Sequence, residues 1–526
     1  MFVSYDLKGI QSFIFRIPKL RYIVGGSALI DAFDREWAPQ QTAHGIELLF
    51  AGGGRGVFLA SSPQDAAKIK QNIINKAHAV GADVAIGIHE DFSMAVHSAD
   101  HLYPYLPQDA EMDGHPCPES GLYPSASGKV HPIVAKRVDP KLRFHIEEEM
   151  LQKLRSKIAD PELQKLRFFH DVSPDGDFGD ADARDAAFSM GSRNRWAIVV
   201  MDGNDMGSQF RVQEQKIAKS NPEKYRIWLK NVSRTVDETV REACAHALVE
   251  VVNAWWTSDS IREAQQKHRK LFLPLRPLVV GGDDIIILCH VSYAFLFVKE
   301  VCAFFARESR ARNDAWKKQH GHDLWPATGG ELSISAGVLF SSVTLPLATA
   351  VPYAESLLAS AKNKGRQHPE GQPAPACIDW EQVTESVLDH PALRRKRDFR
   401  FLDQDINNTV IELTRRPYTL QEFNELETLA QSYAGIPGTI RHQVLPALRA
   451  GFFDRQVWLA RLGKRRKSLG NLVSDLKENL TNNEHKAAGR WKTGQKGEIS
   501  TDVVDALLLL EEQERMSRPT VEEVEA

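Results

Sequence analysis

The chain has 526 residues, 42 % hydrophobic and 26 % charged, which suits a water-soluble globular protein and is too long for a single core. Lysine and arginine total 66 against 69 aspartate and glutamate, so the formal charge is −3 and no global basic field points to nucleic acid. Five cysteines without a C-x-x-C pair imply neither a zinc knuckle nor a disulfide framework; the start does not read as a signal peptide and no apolar run reaches membrane-span length, which predicts a cytoplasmic protein with no membrane contact.

Residues 2–7 predict a strand ending near Asp6. Gly25 and Gly26 precede Ser27, which reads as the N-cap of a helix beginning in the apolar 28–33 segment. Residues 46–50 and 57–60 are apolar strands around Gly52, Gly53, Gly54 and Arg55. Residues 62–80 predict a helix, with Ala66, Ile69, Ile73, Ile74 and Ala77 at helical spacing, and 84–88 a further strand. This β-α-β-β-α-β order suggests a ferredoxin-like unit. Residues 100–140, rich in proline, glycine, serine and histidine, read as a connector. His115 and Cys117 lie in it without a completing ligand set. Residues 140–168 read as helical and 171–192 as loop.

The pattern then repeats. Residues 196–201 are a continuous apolar strand ending in Asp202, followed by Gly203, Asn204 and Asp205. A largely helical stretch over 211–270 leads to two β-branched runs that flank Gly281, Gly282, Asp283 and Asp284, a predicted hairpin with Gly-Gly as its turn. A helix over 291–312, a strand over 332–340 and a helix over 346–362 complete the unit, with Gly365 as the helix stop. The chain thus reads as an internal duplication in which Asp6 corresponds to Asp202 and residues 52–55 to residues 281–284. Arg55 stands in the first copy where the second has an acid. From about residue 380, helices over 388–400, 419–433, 440–462 and 502–515 predict an all-helical C-terminal domain. It carries basic clusters at 394–397 and 463–467, each a solvated helix face or a phosphate contact, a mobile basic loop over 482–499 and a disordered acidic tail.

Asp283 and Asp284 carry the chemistry. Two adjacent carboxylates repel by about 4 kcal/mol at about 4 Å and an effective dielectric near 20, so a cation is expected beside them; a solvated acidic turn is the plainer alternative. Asp202 supplies a third carboxylate at the end of a neighbouring strand, with Gly203 beside it. Such hard oxygen ligands suit Mg²⁺ or Mn²⁺, which take their remaining ligands from substrate phosphates and support in-line displacement of pyrophosphate by a 3′-hydroxyl. Lys362 and Arg366 at a helix end are candidate triphosphate ligands, or else solvated cations favoured at a helix C-terminus. Asp205 is a supporting ligand or a helix cap. Gly281 and Gly282 let a substrate approach the backbone.

The motif Asp202-Gly203-Asn204-Asp205-Met206-Gly207, the Gly281-Gly282-Asp283-Asp284 hairpin, Ser335-Ala336-Gly337-Val338, and the helix carrying Ala354, Glu355, Ala361, Lys362, Gly365 and Arg366 together resemble the catalytic palm of the type III CRISPR large subunit, a family related to GGDEF and class III nucleotide cyclases. Gly9-Ile10-Gln11, residues 13–15 and Gly25-Gly26-Ser27 resemble its other palm. The resemblance covers residues 1 to about 380. It implies an α+β chain divided as 1–105, a degenerate first palm; 106–192, a connector with a zinc-site remnant and helical linker; 193–380, a catalytic second palm; and 381–526, a helical C-terminal domain. It implies a nucleotidyltransferase that converts ATP to cyclic oligoadenylate messengers in antiviral defence, with other effector subunits, guide RNA and target RNA as partners. Asp202, Asp283 and Asp284 would hold metal, Lys362 and Arg366 phosphates, Ser335 would stand at the base pocket, and Gly25, Gly26 and Ser27 would touch a second nucleotide.

Two departures stand out. The chain opens on the first palm strand where many members carry an HD nuclease, and the His170-Asp171 dyad does not replace it. Cys117 alone remains of the family's four-cysteine site, so no zinc is expected. The alternatives are a cyclase making a cyclic mononucleotide or dinucleotide, which the two-palm arrangement disfavours, and a non-catalytic scaffold subunit, which the intact acids disfavour.

Overall fold

The computed structural model describes residues 1–17, 19–102, 104, 115–116, 124–125, 130–169, 195–218, 221–258, 272–369, 372–384, 389–403, 409–450, 452–465, 470–477, 491–493 and 499–517. Cys117, the His170-Asp171 dyad and the acidic tail beyond residue 517 lie outside the described residues. The architecture is mixed α+β. No described helix is long and apolar enough to cross a membrane.

Strands β1 (Phe2–Lys8), β2 (Ile46–Gly52), β3 (Arg55–Ala60) and β4 (Asp83–His89) form an antiparallel sheet in the order β2-β3-β1-β4. Helices α1 (Leu20–Ala32) and α2 (Pro63–Val80) connect its strands. The α2 stripe read from the sequence is the buried one: Ala66, Ile69, Ile73, Ile74 and Ala77 all face the core. Ser62 caps this helix by accepting from the Asp65 amide, and Gly81 closes it in the left-handed region. Helix α3 (His145–Lys157) follows.

Residues 196–201 of β5 (Arg195–Gly203) are buried without alternation, because helices and neighbouring strands cover both faces of the second sheet. After α4 (Met206–Gln213) and the long α5 (Pro222–Trp256) come β6 (Leu275–Gly281) and β7 (Asp284–Cys289). Helix α6 (Ala294–His320), β8 (Ile334–Ser342) and α7 (Leu347–Gly365) complete this unit. The strand order β6-β7-β5-β8 repeats that of the first sheet. Gly337 on β8 lets α7 lie close on the sheet: a Cβ there would come within 2.3 Å of the Ala354 carbonyl oxygen. The sheet extends past β8 through β9 (Cys377–Gln382), parallel to it.

The C-terminal region is not all-helical. Strands β10 (Arg400–Asp403), β11 (Thr409–Glu412), β13 (Trp491–Thr493) and β14 (Ile499–Thr501) form a four-stranded sheet, and β12 (Tyr418–Thr419) adds to the edge of β9. Strands of three or four residues are too short to show a period of two in sequence, which hid them. The expected loop over 482–499 ends in β13 and the start of β14, which pair with each other. Helices Leu420–Ser432 and Val503–Ser517 fall where expected, but the 440–462 helix is two, Gly438–Arg449 and Phe452–Arg465, broken where Ala450 turns extended at ψ 158°. In α8 (Pro391–Asp398) the arginines of the basic cluster are paired with acids. Arg395 forks onto buried Asp379 at 2.8 and 2.6 Å, and Arg397 holds Asp389 at 2.7 Å.

Candidate functional site

Gly281 pairs with Asp284, so the turn proper is Gly282-Asp283 rather than Gly-Gly, with Gly282 at φ 62°. In the first unit Gly52 pairs with Arg55, and Gly53 and Gly54 make the turn at φ 61° and 74°. Both are two-residue connections that need left-handed backbone, which glycine adopts without strain. The two turns face each other: a Cβ on Gly281 would stand 3.5 Å from the Gly53 amide nitrogen. A cavity of about 850 Å³ opens along them, lined by Asp202, Asp283 and Asp284 from one unit and Asp6, Lys8 and Arg55 from the other.

The registers align the two sets of groups. Asp6 is directly opposite Arg55 on β3. The pair Met201 and Ile285 puts Asp202 and Asp284 at the next position, so an acid replaces the arginine there. In the first unit the charges cancel: Arg55 lies 3.3 Å from Asp6, and Lys8 also holds that carboxylate. In the second they accumulate. Burial, then Asp202 and Asp284, hold the Asp283 carboxyl well above the ordinary range. Asp284 meets water in the cleft but is ringed by protein; that enclosure and Asp202 push its carboxyl up, partly offset by Lys362 and Arg55.

A cation does sit beside the acids, and it belongs to the chain. Lys362, on the last turns of α7, donates to Asp202 Oδ2 and to the Gly203 carbonyl at 2.8 Å. It is therefore neither a solvated helix-end cation nor a free phosphate ligand in this state. Among the described residues no three His, Cys, Asp or Glu side chains are drawn together as a closed metal-ligand set. A second cavity of about 380 Å³ shares Asp202 and Asp283 with the first and is lined by Lys362, Arg366, Arg211 and the start of α4. Arg366 donates to its neighbour Asn363 at 3.0 Å and is exposed. Asp205 adopts φ 56° at the N-cap of α4; its carboxylate makes no cap bond and meets His368 Nε2 at 3.2 Å.

Other expectations are corrected. Gly25, Gly26 and Ser27 do not precede a helix; they lie buried in the middle of α1. A Cβ on Gly25 would come 1.7 Å from the Arg137 carbonyl oxygen, so this glycine makes room for the 136–138 segment and does not front the cavity. Gly26 packs beside the Arg137 guanidinium, and of the three only Ser27 reaches the cavity wall. Ser335 is fully buried and its Oγ accepts the Cys377 amide at 3.1 Å, which ties β8 to β9 and leaves it off both cavity walls. Gly365 ends α7 without a left-handed cap; it faces the Pro375 carbonyl.

Several groups at the cavity were not singled out from sequence. Asp34 accepts the Gly54 amide at 2.7 Å and the Tyr5 hydroxyl at 2.9 Å. Burial outweighs these bonds and lifts its carboxyl to about 7. Asp237 on α5 accepts the Gly282 amide at 3.2 Å. Gln11 of the first unit donates to Glu355 of the second. A shared signal was present: Asp31 and Arg35, and Asp237 and Arg241, are each an acid four residues ahead of an arginine on a helix.

Residues 195–368 match the family described as Cas10/Cmr2, second palm domain. The structure also resembles a Csm1-Csm4 cassette crystallised with cA4, at 16 % identity, covering 97 % of this chain and 69 % of that one with a TM-score of 0.50. A Csm1 structure from T. onnurineus is similar over 97 % of this chain and 69 % of its own, at 14 % identity and a TM-score of 0.48. No curated protein matches the chain. At 16 % identity the cassette structure speaks for the fold alone; the Cas10/Cmr2 match bears on the segment that holds Asp202, Asp283, Asp284 and Lys362.

Proposed function

We propose that the chain is a metal-dependent nucleotidyltransferase that joins ATP through 3′–5′ bonds into cyclic oligoadenylate, acting as the large subunit of a type III CRISPR effector with guide and target RNA. The observation that carries this reading is the convergence of Asp202, Asp283 and Asp284 on a cavity of about 850 Å³ beside a second one, about 380 Å³, walled by Lys362, Arg366 and Arg211. The first has room for nucleosides and the second has the charge for a polyphosphate. The repeated strand order supports two ferredoxin-like palms at 1–105 and 193–380, joined through 106–192 and followed by the 381–526 region.

The donor set fits a hard divalent cation: three carboxylates and the Gly203 carbonyl, with the Asp283 and Asp284 carboxyls held above their ordinary range by burial and then by neighbouring acids, Asp202 foremost. Mg²⁺ or Mn²⁺ bound there supplies neutralising charge and acidifies a 3′-hydroxyl. Asp202, Asp283, Asp284 and the Gly203 carbonyl would hold it. Lys362 leaves Asp202 for the polyphosphate once that carboxylate is otherwise neutralised. Arg366 and Arg211 hold the remaining phosphate charge, and the first residues of α4 line the same space. Gly281 and Gly282 leave the turn's backbone open to the nucleotide. Asp205, with His368, buttresses the loop before α4.

The Csm1-Csm4 cassette crystallised with cA4 carries that ligand in a similar fold, which favours oligoadenylate over a cyclic mononucleotide. The test is incubation of the purified chain, alone and with effector subunits, guide RNA and target RNA, with radiolabelled ATP and Mn²⁺. Oligonucleotide products that disappear in Asp283→Ala/Asp284→Ala are expected. Products that persist in that variant would remove the site from the reaction.

A further inference from the structure

The two units are locked by an exchange of ion pairs. On α1 and the turn that continues it, Asp31 and Arg35 are four residues apart, as are Asp237 and Arg241 on α5. Each arginine crosses to the other unit's acid: Arg35 to Asp237 Oδ2, and Arg241 to Asp31 Oδ1 at 3.3 Å. Arg35 also keeps its own Asp31 at 3.2 Å. The two halves of this lock differ in what lies beyond them. Asp31 is held further by His145 at 2.8 Å, and Arg241 by both oxygens of Glu149 at 2.7 and 2.9 Å, so that half ends in α3. Asp237 instead spends its other oxygen on the Gly282 amide, 3.2 Å away, in the turn that bears Asp283. The first unit has the same device, since Asp34 accepts the Gly54 amide of its own turn.

We propose that Arg35 and Asp237 are positioning residues for the 281–284 turn: the first unit, which has lost the acids of its own turn, orients the acids of the second through a carboxylate strut. The inference rests on the reading of Asp283 and Asp284 as the reacting centre. A carboxylate accepting one N–H is free to rotate; a guanidinium on its second oxygen removes that freedom. The Gly282 amide fixes the register of a turn whose next two residues must stay near Asp202. A displacement of about 1 Å there costs on the order of 10²-fold in rate. Arg35 is 31 % exposed and reaches Asp237 from the cavity wall, so its hold on the carboxylate is also open to whatever occupies the cavity.

Two readouts test it on the full-length protein. Hydrogen exchange reads the strut without any turnover: the amides of the 281–284 turn exchange at least tenfold faster in Asp237→Ala and in Arg35→Ala than in wild type, and within threefold of wild type in Arg241→Ala, which breaks the other half of the lock. Turnover of ATP reads its consequence: Arg35→Ala and Asp237→Ala lose about tenfold or more in kcat with KM within twofold. The double variant loses no more than either single one, and Arg35→Lys recovers part of the loss. Arg241→Ala keeps kcat within threefold while melting earlier. Equal losses in Arg241→Ala and Arg35→Ala would make the lock a structural clamp and overturn the proposal, as would unchanged exchange in Asp237→Ala. Failure of the catalytic reading instead appears as product formation surviving Asp283→Ala/Asp284→Ala while the exchange pattern stands.

Discussion

Replacing Lys362 by methionine tests whether this lysine stands in for a cation. The ammonium holds Asp202 and the Gly203 carbonyl together, so a divalent ion approaching Asp202 has to displace it. Opposite unit charges about 4 Å apart attract by about 4 kcal/mol at an effective dielectric near 20. The two side chains are 18 % and 29 % exposed, and screening trims the net value to about 1–2 kcal/mol. Lys362→Met therefore destabilises the metal-free protein by about 1–2 kcal/mol. By the same amount it removes the competition for metal, which raises the affinity for Mn²⁺ alone about tenfold. Under the proposed function, binding of ATP moves the other way, because the same ammonium would serve the polyphosphate. Calorimetric titration with Mn²⁺ in the absence of nucleotide, followed by ATP in the presence of Ca²⁺, separates the two. If Mn²⁺ binds Lys362→Met no more tightly than wild type, the lysine does not occupy the metal's place and the reasoning fails.

Three other outcomes follow from geometry already described. Gly25→Ala gains about 1 kcal/mol in helix propensity but drives a methyl to within 1.7 Å of the Arg137 carbonyl oxygen; the net is a loss of about 1–3 kcal/mol, read as a lower melting temperature, and a neutral variant would mean that the 136–138 segment is not fixed on α1. Asp34 carries a carboxyl raised from 3.8 to about 7, so the folded state holds a proton that the unfolded chain releases. Its contribution is full below about pH 4 and declines as pH rises to about 7. Wild type should thus lose stability relative to Asp34→Asn by up to about 1.4 kcal/mol per pH unit in that window, and parallel melting curves from pH 5 to 7.5 would contradict it. Arg395→Ala strands the fully buried Asp379 and costs about 3–5 kcal/mol, whereas Lys396→Ala, on the exposed side of the same helix, changes stability by less than about 0.5 kcal/mol; comparable melting points for the two would argue against the buried pair.

Much of the scaffold was readable because its signals are local. The uniform burial of residues 196–201 and the helical stripe on α2 follow directly from apolar spacing, and the glycines of each turn mark the hairpins. The duplication was visible by setting residues 52–55 beside 281–284, and the two sheets do share one strand order. What stayed hidden depends on distant partners. Gly25 looked like the residue before a cap because nothing in its neighbourhood announces a backbone segment from residue 137 lying on it. Ser335 looked available because its acceptor role is set by an amide 42 residues onward. Lys362 was paired with phosphates on charge alone; its bond to Asp202 spans 160 residues. Asp237 escaped notice in a long polar helix, where one acid among many has no distinguishing pattern until the turn above it is known.

The opposed turns have one more consequence. They close hairpins at equivalent places in two sheets of the same strand order, yet Arg55 occupies on one side the register position that Asp284 holds on the other. The trough between them therefore has unlike walls: on one side Arg55 and Lys8 offset Asp6, and on the other Asp202, Asp283 and Asp284 outnumber Lys362. Under the proposed function, a nucleotide whose phosphates meet a cation on the acidic side has a single favourable heading along it. Directionality would then come from one exchange of residue type between two like hairpins rather than from an added element.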